Sequence, residues 1–125
     1  MNVTSFLYDS NYMPSAPVIK MLVHARSSVE VIALVDSGAD ATIIPINLLR
    51  KIGATYVKAQ QMRGIIGRSQ EVDLYLVTIQ ISIHRLPGIR VIAANPGTEI
   101  ILGRDVLNHL IVALNGLAGV TEIEI

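Results

Sequence analysis

The stretch Val29-Glu30-Val31-Ile32-Ala33-Leu34-Val35-Asp36-Ser37-Gly38-Ala39-Asp40 decides the fold. The part of this stretch before Asp36 ends in a continuous apolar run, Val31–Val35. Such a run predicts a strand that is buried on both faces. Asp36 follows directly, and a carboxylate in such a place is costly unless it is hydrogen-bonded, neutralised or used in chemistry. Ser37 brings a hydroxyl close to it, and Gly38 permits a tight turn. The stretch therefore indicates a site for general acid–base chemistry on a bound water.

Strand patterns continue on both sides of this stretch. The longest is an alternation of apolar and polar residues from Val77 to Ile83, and an earlier alternation over Val72–Leu76 is out of phase with it. This change of phase predicts a bulge or bend near Leu76-Val77. Turns are predicted at Pro87-Gly88 and at Asn115-Gly116. Further strands are predicted at Val18–Val23, Tyr56–Gln61, Ile89–Ala94, Ile100–Leu102, Ile111–Leu114 and Thr121–Ile125, and short helices at Ile46–Ile52 and Gly103–His109.

The predicted fold class is therefore mostly β, with one or two short helices. Residues 1–16 are weakly patterned and are expected to form a loosely held N-terminal arm or leader. Residues 17–125 are expected to form a single domain, which suits a chain of 125 residues.

Composition excludes several classes of function. The chain has 51% hydrophobic residues, no Cys and a formal net charge of +0. Without Cys there is no thiol nucleophile and no Cys-bound zinc, and without net charge there is no broad field to attract nucleic acid or an anionic membrane. Only 4% of the residues are aromatic, so the core must be aliphatic, and part of this aliphatic surface is expected to contact a partner subunit.

The sequence shows no targeting segment. The first residues, 1–12, lack the basic start and apolar run of a signal peptide, and the run Val31–Val35 is far too short to span a bilayer. We expect a cytoplasmic or otherwise intracellular protein that binds neither nucleic acid nor membrane.

One carboxylate per chain is not enough for the chemistry that Asp36 suggests. A single group cannot act as acid and base at once, and the usual solution is a pair of carboxylates that share one proton. The chain has no second Asp-Ser-Gly or Asp-Thr-Gly, but a two-fold homodimer would bring Asp36 against its own copy. His24, His84 and His109 lie far apart without metal-ligand spacing, so no metal and no other cofactor is expected.

Val35-Asp36-Ser37-Gly38-Ala39-Asp40, followed downstream by Ile100-Ile101-Leu102-Gly103-Arg104-Asp105-Val106-Leu107, resembles the two signatures of retropepsin-like aspartic proteases. The resemblance runs from about Pro17 to the C-terminus. It implies a closed β-barrel of the half-pepsin type, a homodimer, and an aspartic endopeptidase that hydrolyses peptide bonds in a peptide or protein substrate.

The resemblance also implies roles for single residues in the first signature. Asp36 would be the catalytic aspartate, one from each subunit, and Ser37 would bond across the dimer axis to the partner backbone. Gly38, Ala39 and Asp40 would present backbone and side-chain groups to the substrate.

Other implied roles lie further along the chain. Met62–Ser69 would be the flap that closes over the substrate. Arg104 would open the second helix and pair with Asp40, with Asp105 giving structural support beside it. Thr121–Ile125 would supply interface strands, with Ile123 and Ile125 facing inward. The further substrate-binding residues are Gly64, Ile65, Ile66 and Gly67 at the flap tip and Ile101 beside the side-chain pockets.

Other interpretations of these residues stay open. Asp36-Ser37-Gly38 could be an ordinary β-turn, since these residue types favour turns, and Gly64 and Gly67 could mark an ordinary hairpin tip. The alternative function is a catalytically silent domain of the same fold that dimerises or binds peptides.

Overall fold

The computed structural model describes residues 2–63 and 68–125 of the chain. Within these ranges it is mostly β with two short helices, as the sequence predicts. The strands are β1 (Val3–Leu7), β2 (Val18–His24), β3 (Ser28–Val35), β4 (Ile43–Pro45), β5 (Thr55–Arg63), β6 (Ser69–Ile81), β7 (His84–Ala94), β8 (Ile101–Leu102), β9 (Val112–Asn115) and β10 (Val120–Glu124), and the helices are α1 (Ile46–Lys51) and α2 (Arg104–Leu107).

Seven strands form one sheet that closes on itself. Their order is β2-β3-β8-β4-β7-β6-β5, and β2 also pairs with β6. This closure confirms the predicted barrel and leaves β5 attached outside the ring. The interior is aliphatic, and its fully buried side chains include Ile19, Met21, Ile44, Leu49, Ile79, Ile81 and Leu102.

The short strand β8 brings the two sequence signatures together. It lies parallel to β3, with Leu34 opposite Ile101 and Val35 opposite Leu102. On its other side it contacts β4, with Ile43 opposite Ile101. Because β3 and β8 are parallel, the residues that follow them, Asp36 and Gly103, leave the sheet at the same edge.

Helix α1 confirms the helix predicted over Ile46–Ile52. Leu49 faces the core and is fully buried. Gly53 follows the helix with φ +71°, the left-handed conformation that commonly ends a helix and that glycine adopts without steric cost.

The long strand β6 shows the predicted change of phase. Leu74 and Val77 are both buried although they are three positions apart, and Leu76 between them is 42% exposed. The ladder is irregular on both sides of this region, between Tyr56 and Lys58 on β5 and between Val77 and Ile79 against β7.

The prediction of a turn at Pro87-Gly88 is wrong. The chain turns at Ser82-Ile83, so β6 ends at Ile81 and does not continue to Ile83, which is 67% exposed. Pro87 and Gly88 lie inside β7, where these two residues oppose the single residue Thr78 of β6. The extra residue makes a bulge. Pro87, which has no N–H, does not have to donate a ladder hydrogen bond at a bulge. The bulge also accommodates the φ of +74° at Gly88.

Three strands form a second sheet in the order β1-β10-β9. β1 pairs with β10 along its whole length, from Val3 opposite Glu124 to Leu7 opposite Val120. The expectation of a loosely held arm is therefore wrong for Val3–Leu7, because the partner strand stabilises this segment although its own pattern is weak. The boundary between residues 16 and 17 stays a prediction.

Two burial expectations also need correction. The strand β3 is not buried on both faces, since Ile32 is 57% exposed and its neighbours along the strand alternate in burial. Ile123 is fully buried as expected, but Ile125 is 50% exposed. Ile32 lies on the solvent face of β3, and Ile125 lies one residue beyond the end of β10.

Among the described residues no helix is long and apolar enough to cross a membrane.

Candidate active site

The Asp36-Ser37-Gly38 turn begins where β3 ends. The Asp36 N–H donates to the Leu102 carbonyl at 3.0 Å, which ties the turn to β8. The Gly38 N–H donates to Asp36 Oδ1 at 2.9 Å, and the Ala39 N–H donates to the Asp36 carbonyl at 3.1 Å. Within the described part of the chain, Gly38 is the one hydrogen-bond donor to this carboxylate. One oxygen of the half-buried Asp36 is thus fixed, and Oδ2 is open to a further group.

Arg104 joins the start of α2 to this turn. One guanidinium nitrogen donates to the Ser37 carbonyl at 2.7 Å, and the other donates to the Asp40 carboxylate, with which it forms an ion pair. The Arg104 N–H also donates to the Ala39 carbonyl at 2.9 Å. A planar guanidinium can make such two-pronged contacts, whereas a Lys ammonium cannot do so in a fixed geometry.

Asp105 holds the segment that follows the turn. Its carboxylate accepts the Thr42 hydroxyl at 2.7 Å and the Thr42 N–H at 3.0 and 3.1 Å. The Thr42 hydroxyl oxygen in turn accepts the Gly103 N–H at 3.1 Å. Thr42 is fully buried, and this network satisfies the hydrogen-bonding groups that burial removes from water.

Sequence reasoning missed Thr42. Thr42 directly precedes the apolar residues Ile43 and Ile44, and this position indicates a buried hydroxyl. A buried hydroxyl needs a hydrogen-bond partner, so the pattern indicates a structural role for Thr42. The sequence alone does not identify that partner, which is 63 positions away.

Gly103 lies where no side chain fits. A Cβ at this position would be 2.7 Å from the Ala41 carbonyl carbon, 2.8 Å from its oxygen and 3.0 Å from the Ala39 oxygen. All three atoms belong to the backbone of the segment that follows the Asp36-Ser37-Gly38 turn. Glycine therefore allows the start of α2 to lie directly against this segment.

We expect Thr42→Val to lower the free energy of unfolding by about 2 kcal/mol. The change leaves the Gly103 N–H without its acceptor and removes the hydroxyl donor from Asp105, which keeps only the backbone N–H of residue 42. Chemical denaturation followed by circular dichroism measures this change. Thr78→Val is the matched control, since Thr78 is half-buried and its hydroxyl makes no hydrogen bond among the described residues. Equal stabilities of the two variants would contradict a structural role for the Thr42 hydroxyl.

The structure brings most of the sequence-predicted site residues together. Asp36 and Ala39 are half-buried, and Ser37, Gly38 and Asp40 are exposed. Ile101 is half-buried in β8 between Leu34 and Ile43. The predicted flap residues Gly64, Ile65, Ile66 and Gly67 lie outside the described residues, but β5 and β6 pair up to Arg63 opposite Ser69 on either side of them.

No metal site is found in the ranges 2–63 and 68–125, where no three His, Asp or Glu side chains come together as ligands.

Comparison with known proteins identifies the family. The family model described as gag-polyprotein putative aspartyl protease matches residues 25–109, more than half of the chain. The matched range includes the Asp36 turn, β8 and the start of α2. The chain belongs to this family of aspartyl proteases. No curated protein matches the sequence.

Solved structures show the same fold. A retropepsin-like aspartic protease from Rickettsia conorii aligns with a TM-score of 0.65 at 14% identity, over 98% of this chain and 91% of the other. The EIAV protease, solved in complex with the inhibitor HBY-793, aligns with a TM-score of 0.56 at 24% identity, over 75% of this chain and 86% of the other. The predicted retropepsin-like fold of this aspartyl protease family member is thereby confirmed.

Proposed function

We propose that the chain is an aspartic endopeptidase that works as a homodimer, with one Asp36 from each subunit at the two-fold axis. The observation that carries the proposal is the Asp36 carboxylate itself. It lies half-buried at the end of a barrel strand, with Oδ1 held by the Gly38 N–H at 2.9 Å and with Oδ2 open. A retropepsin-like fold and membership of an aspartyl protease family support it.

In the proposed reaction the two Asp36 carboxyl groups share one proton and bind a water between them. The ionised group takes a proton from the water as its oxygen attacks the carbonyl carbon of the scissile peptide bond. The protonated group donates to the carbonyl oxygen as the tetrahedral intermediate forms. When the C–N bond breaks, the nitrogen takes the proton from the Asp36 that had accepted it from the water and leaves as an amine. The other Asp36, now ionised, takes a proton from one hydroxyl of the intermediate, which becomes the carboxylic acid product, so the pair again holds one proton.

The surrounding contacts keep the carboxylates in place for this reaction. Arg104 holds the Ser37 carbonyl and the Asp40 side chain together, which limits movement of the turn between them. Positioning of this kind can supply a large part of a catalytic rate, since a misplacement of about 1 Å can cost on the order of a hundredfold.

The substrate is proposed to bind as an extended strand. Gly38 and Asp40 are exposed beside Asp36. The Gly38 carbonyl accepts no hydrogen bond among the described residues, and it can accept one from a peptide backbone in the manner of an added strand. The hairpin of β5 and β6 is proposed to be the flap that covers it. The neutral net charge of the chain fits a substrate held by backbone and apolar contacts.

A peptide inhibitor with a hydroxyl in place of the scissile amide tests the proposal, because such a group resembles the tetrahedral intermediate and should bind more tightly than a substrate. The wild-type chain is expected to cleave a mixed peptide library, and titration with the inhibitor is expected to stop cleavage at one inhibitor per two chains. Calorimetry measures this ratio directly. Binding of one inhibitor per chain would contradict a shared site, and a library left uncut at both acid and neutral pH would favour a catalytically silent domain.

A further inference from the structure

A cavity of about 420 Å³ lies on the outside of the barrel, away from the Asp36 turn. It is enclosed by the turn between β2 and β3, by the residues that follow α1, and by the bulge in β7. The strand β3 leads from this turn to Asp36 in 8 residues, a length of about 26 Å. The cavity is therefore separate from the proposed protease site, and the proposed reaction does not use it.

Positive charge is concentrated around this cavity. Arg26 and Arg85 line it, together with His24 and the hydroxyl-bearing residues Thr55 and Thr78. Within the described ranges no Asp or Glu lines the cavity, and neither arginine takes part in an ion pair. The chain has a formal net charge of +0, so this excess of positive charge is local. Two guanidinium groups without a carboxylate partner attract an anion and bind its oxygens as forked donors.

The pairing of the strands explains why the cavity is present. His24 is the last residue of β2 and lies opposite Thr78 of β6, so β2 ends where the cavity begins. On the other side of β6, Pro87 and Gly88 bulge opposite the same residue, Thr78. Thr78 thus lies between the end of one neighbouring strand and an irregularity in the other. It is half-buried, and its hydroxyl, which has no hydrogen-bond partner among the described residues, is available to a ligand.

Two sets of contacts hold the basic side chains in place. Gln80 Oε1 accepts hydrogen bonds from His24 Nε2 at 3.0 Å and from Arg85 Nη1 at 3.5 Å, since an amide oxygen can only accept. The aliphatic part of Arg26 packs against Gly53, where an added Cβ would lie 3.0 Å from Cδ and 3.2 Å from Cγ of the arginine. Side chains held in this way lose less conformational freedom when they bind a ligand.

We propose that this cavity binds the phosphate group of a small molecule, with Arg26 and Arg85 as its charged anchors. A carboxylate has two oxygens and a single charge. The phosphate group of a monoester has three terminal oxygens and a charge of about −1.5 to −2 near neutral pH. It therefore matches the charge of both guanidinium groups and also offers acceptors to the hydroxyls of Thr55 and Thr78.

The rest of the cavity suits the organic part of a phosphate ester. Leu76, which is 42% exposed, and Pro87 form an apolar wall beside the basic side chains. A volume of about 420 Å³ lies in the range of small-molecule sites, which combine apolar walls with a few polar groups. This inference goes beyond the proposed function, because none of the lining residues belongs to the Asp36 turn.

Isothermal titration calorimetry with phenyl phosphate tests the proposal. Phenyl phosphate is expected to bind at one molecule per chain, because its phosphate group matches the two arginines and its ring matches the apolar wall. Benzoate has the same ring but a carboxylate, so it is expected to bind about tenfold more weakly for each charged hydrogen bond that it cannot make. Inorganic phosphate identifies the source of the group: tighter binding of phenyl phosphate indicates an ester as the ligand, and equal binding indicates free phosphate.

Substitution of the anchors tests the position of the site. Arg26→Gln and Arg85→Gln are each expected to weaken the binding of phenyl phosphate by about tenfold or more, because each change removes a charged donor. Arg68→Gln is the matched control. Arg68 is exposed, and it precedes Leu76 by eight residues, a distance of about 26 Å along the strand direction. Circular dichroism checks that the variants keep the fold of the wild type, and the two anchors lie on different elements, so each variant is an independent test.

The outcomes separate this inference from the proposed function. Weaker binding by Arg26→Gln and Arg85→Gln, with Arg68→Gln unchanged, supports the site even if the wild-type chain cleaves no peptide. Equal weakening by all three variants reports only the total charge of the chain and overturns the site. No saturable binding of phenyl phosphate at millimolar concentration also overturns it, as does benzoate that binds as tightly as phenyl phosphate. An Asp36→Asn variant is expected to bind phenyl phosphate as the wild type does.

Discussion

Asp36→Asn is expected to reduce peptide cleavage by about a thousandfold or more, the size of effect that general acid–base catalysis supplies. An amide cannot take the proton from the attacking water, and because each dimer has two copies of the substitution, no carboxylate is left at the axis. Initial rates on a cleaved library peptide measure the loss.

The variant should keep its structure. The Asn oxygen can accept the Gly38 N–H as Asp36 Oδ1 does at 2.9 Å, so the turn retains its geometry, and sedimentation should give the same mass as the wild type. Asp73→Asn is the matched control, because it makes the same chemical change at an exposed position in β6. Turnover by Asp36→Asn at the wild-type rate would sink the proposed mechanism.

Gly103→Ala is expected to have the largest effect on stability, a loss of about 3 kcal/mol, at the upper end of what overpacking costs. The added Cβ would lie 2.7 Å from the Ala41 carbonyl carbon, and the neighbouring atoms are backbone that cannot rotate away. The hydrogen bonds from the Gly103 and Arg104 N–H groups hold this contact in place, so relief of the clash requires breaking them. The midpoint temperature of thermal unfolding, Tm, is expected to fall by roughly 10 °C.

Gly116→Ala is the matched control for this change. Gly116 has nothing within 4 Å of the site of an added Cβ and is not among the glycines with positive φ. Its substitution should change the free energy of unfolding by less than about 1 kcal/mol. A Gly103→Ala variant as stable as Gly116→Ala would show that the segment after the turn can move away from α2.

Much of the fold could be predicted from sequence because its signals are local. The run Val31–Val35 and the alternation from Val77 onward mark strands by their own periodicity. The resemblance carried by the two signatures around Asp36 and Arg104 also predicted the ion pair between Arg104 and Asp40, and the structure contains this ion pair.

What could not be predicted depends on partners that are distant in sequence. Val3–Leu7 is a strand because β10 pairs with it, and nothing in its own composition reveals this. The bond between Thr42 and Asp105 exists because β8 lies between β3 and β4. Pro87-Gly88 has the composition of a turn, but the ladder with β6 converts it to a bulge.

The pairing of β1 with β10 inside one chain has a consequence for kinetics. Each chain can complete both of its sheets before it meets another, so folding is first order and does not wait for assembly. In the proposed dimer, association of two folded chains is then a separate bimolecular step, and its equilibrium follows mass action. Dilution is therefore expected to abolish the proposed protease activity without denaturing the chain, and reconcentration is expected to restore this activity at the rate at which folded proteins dock.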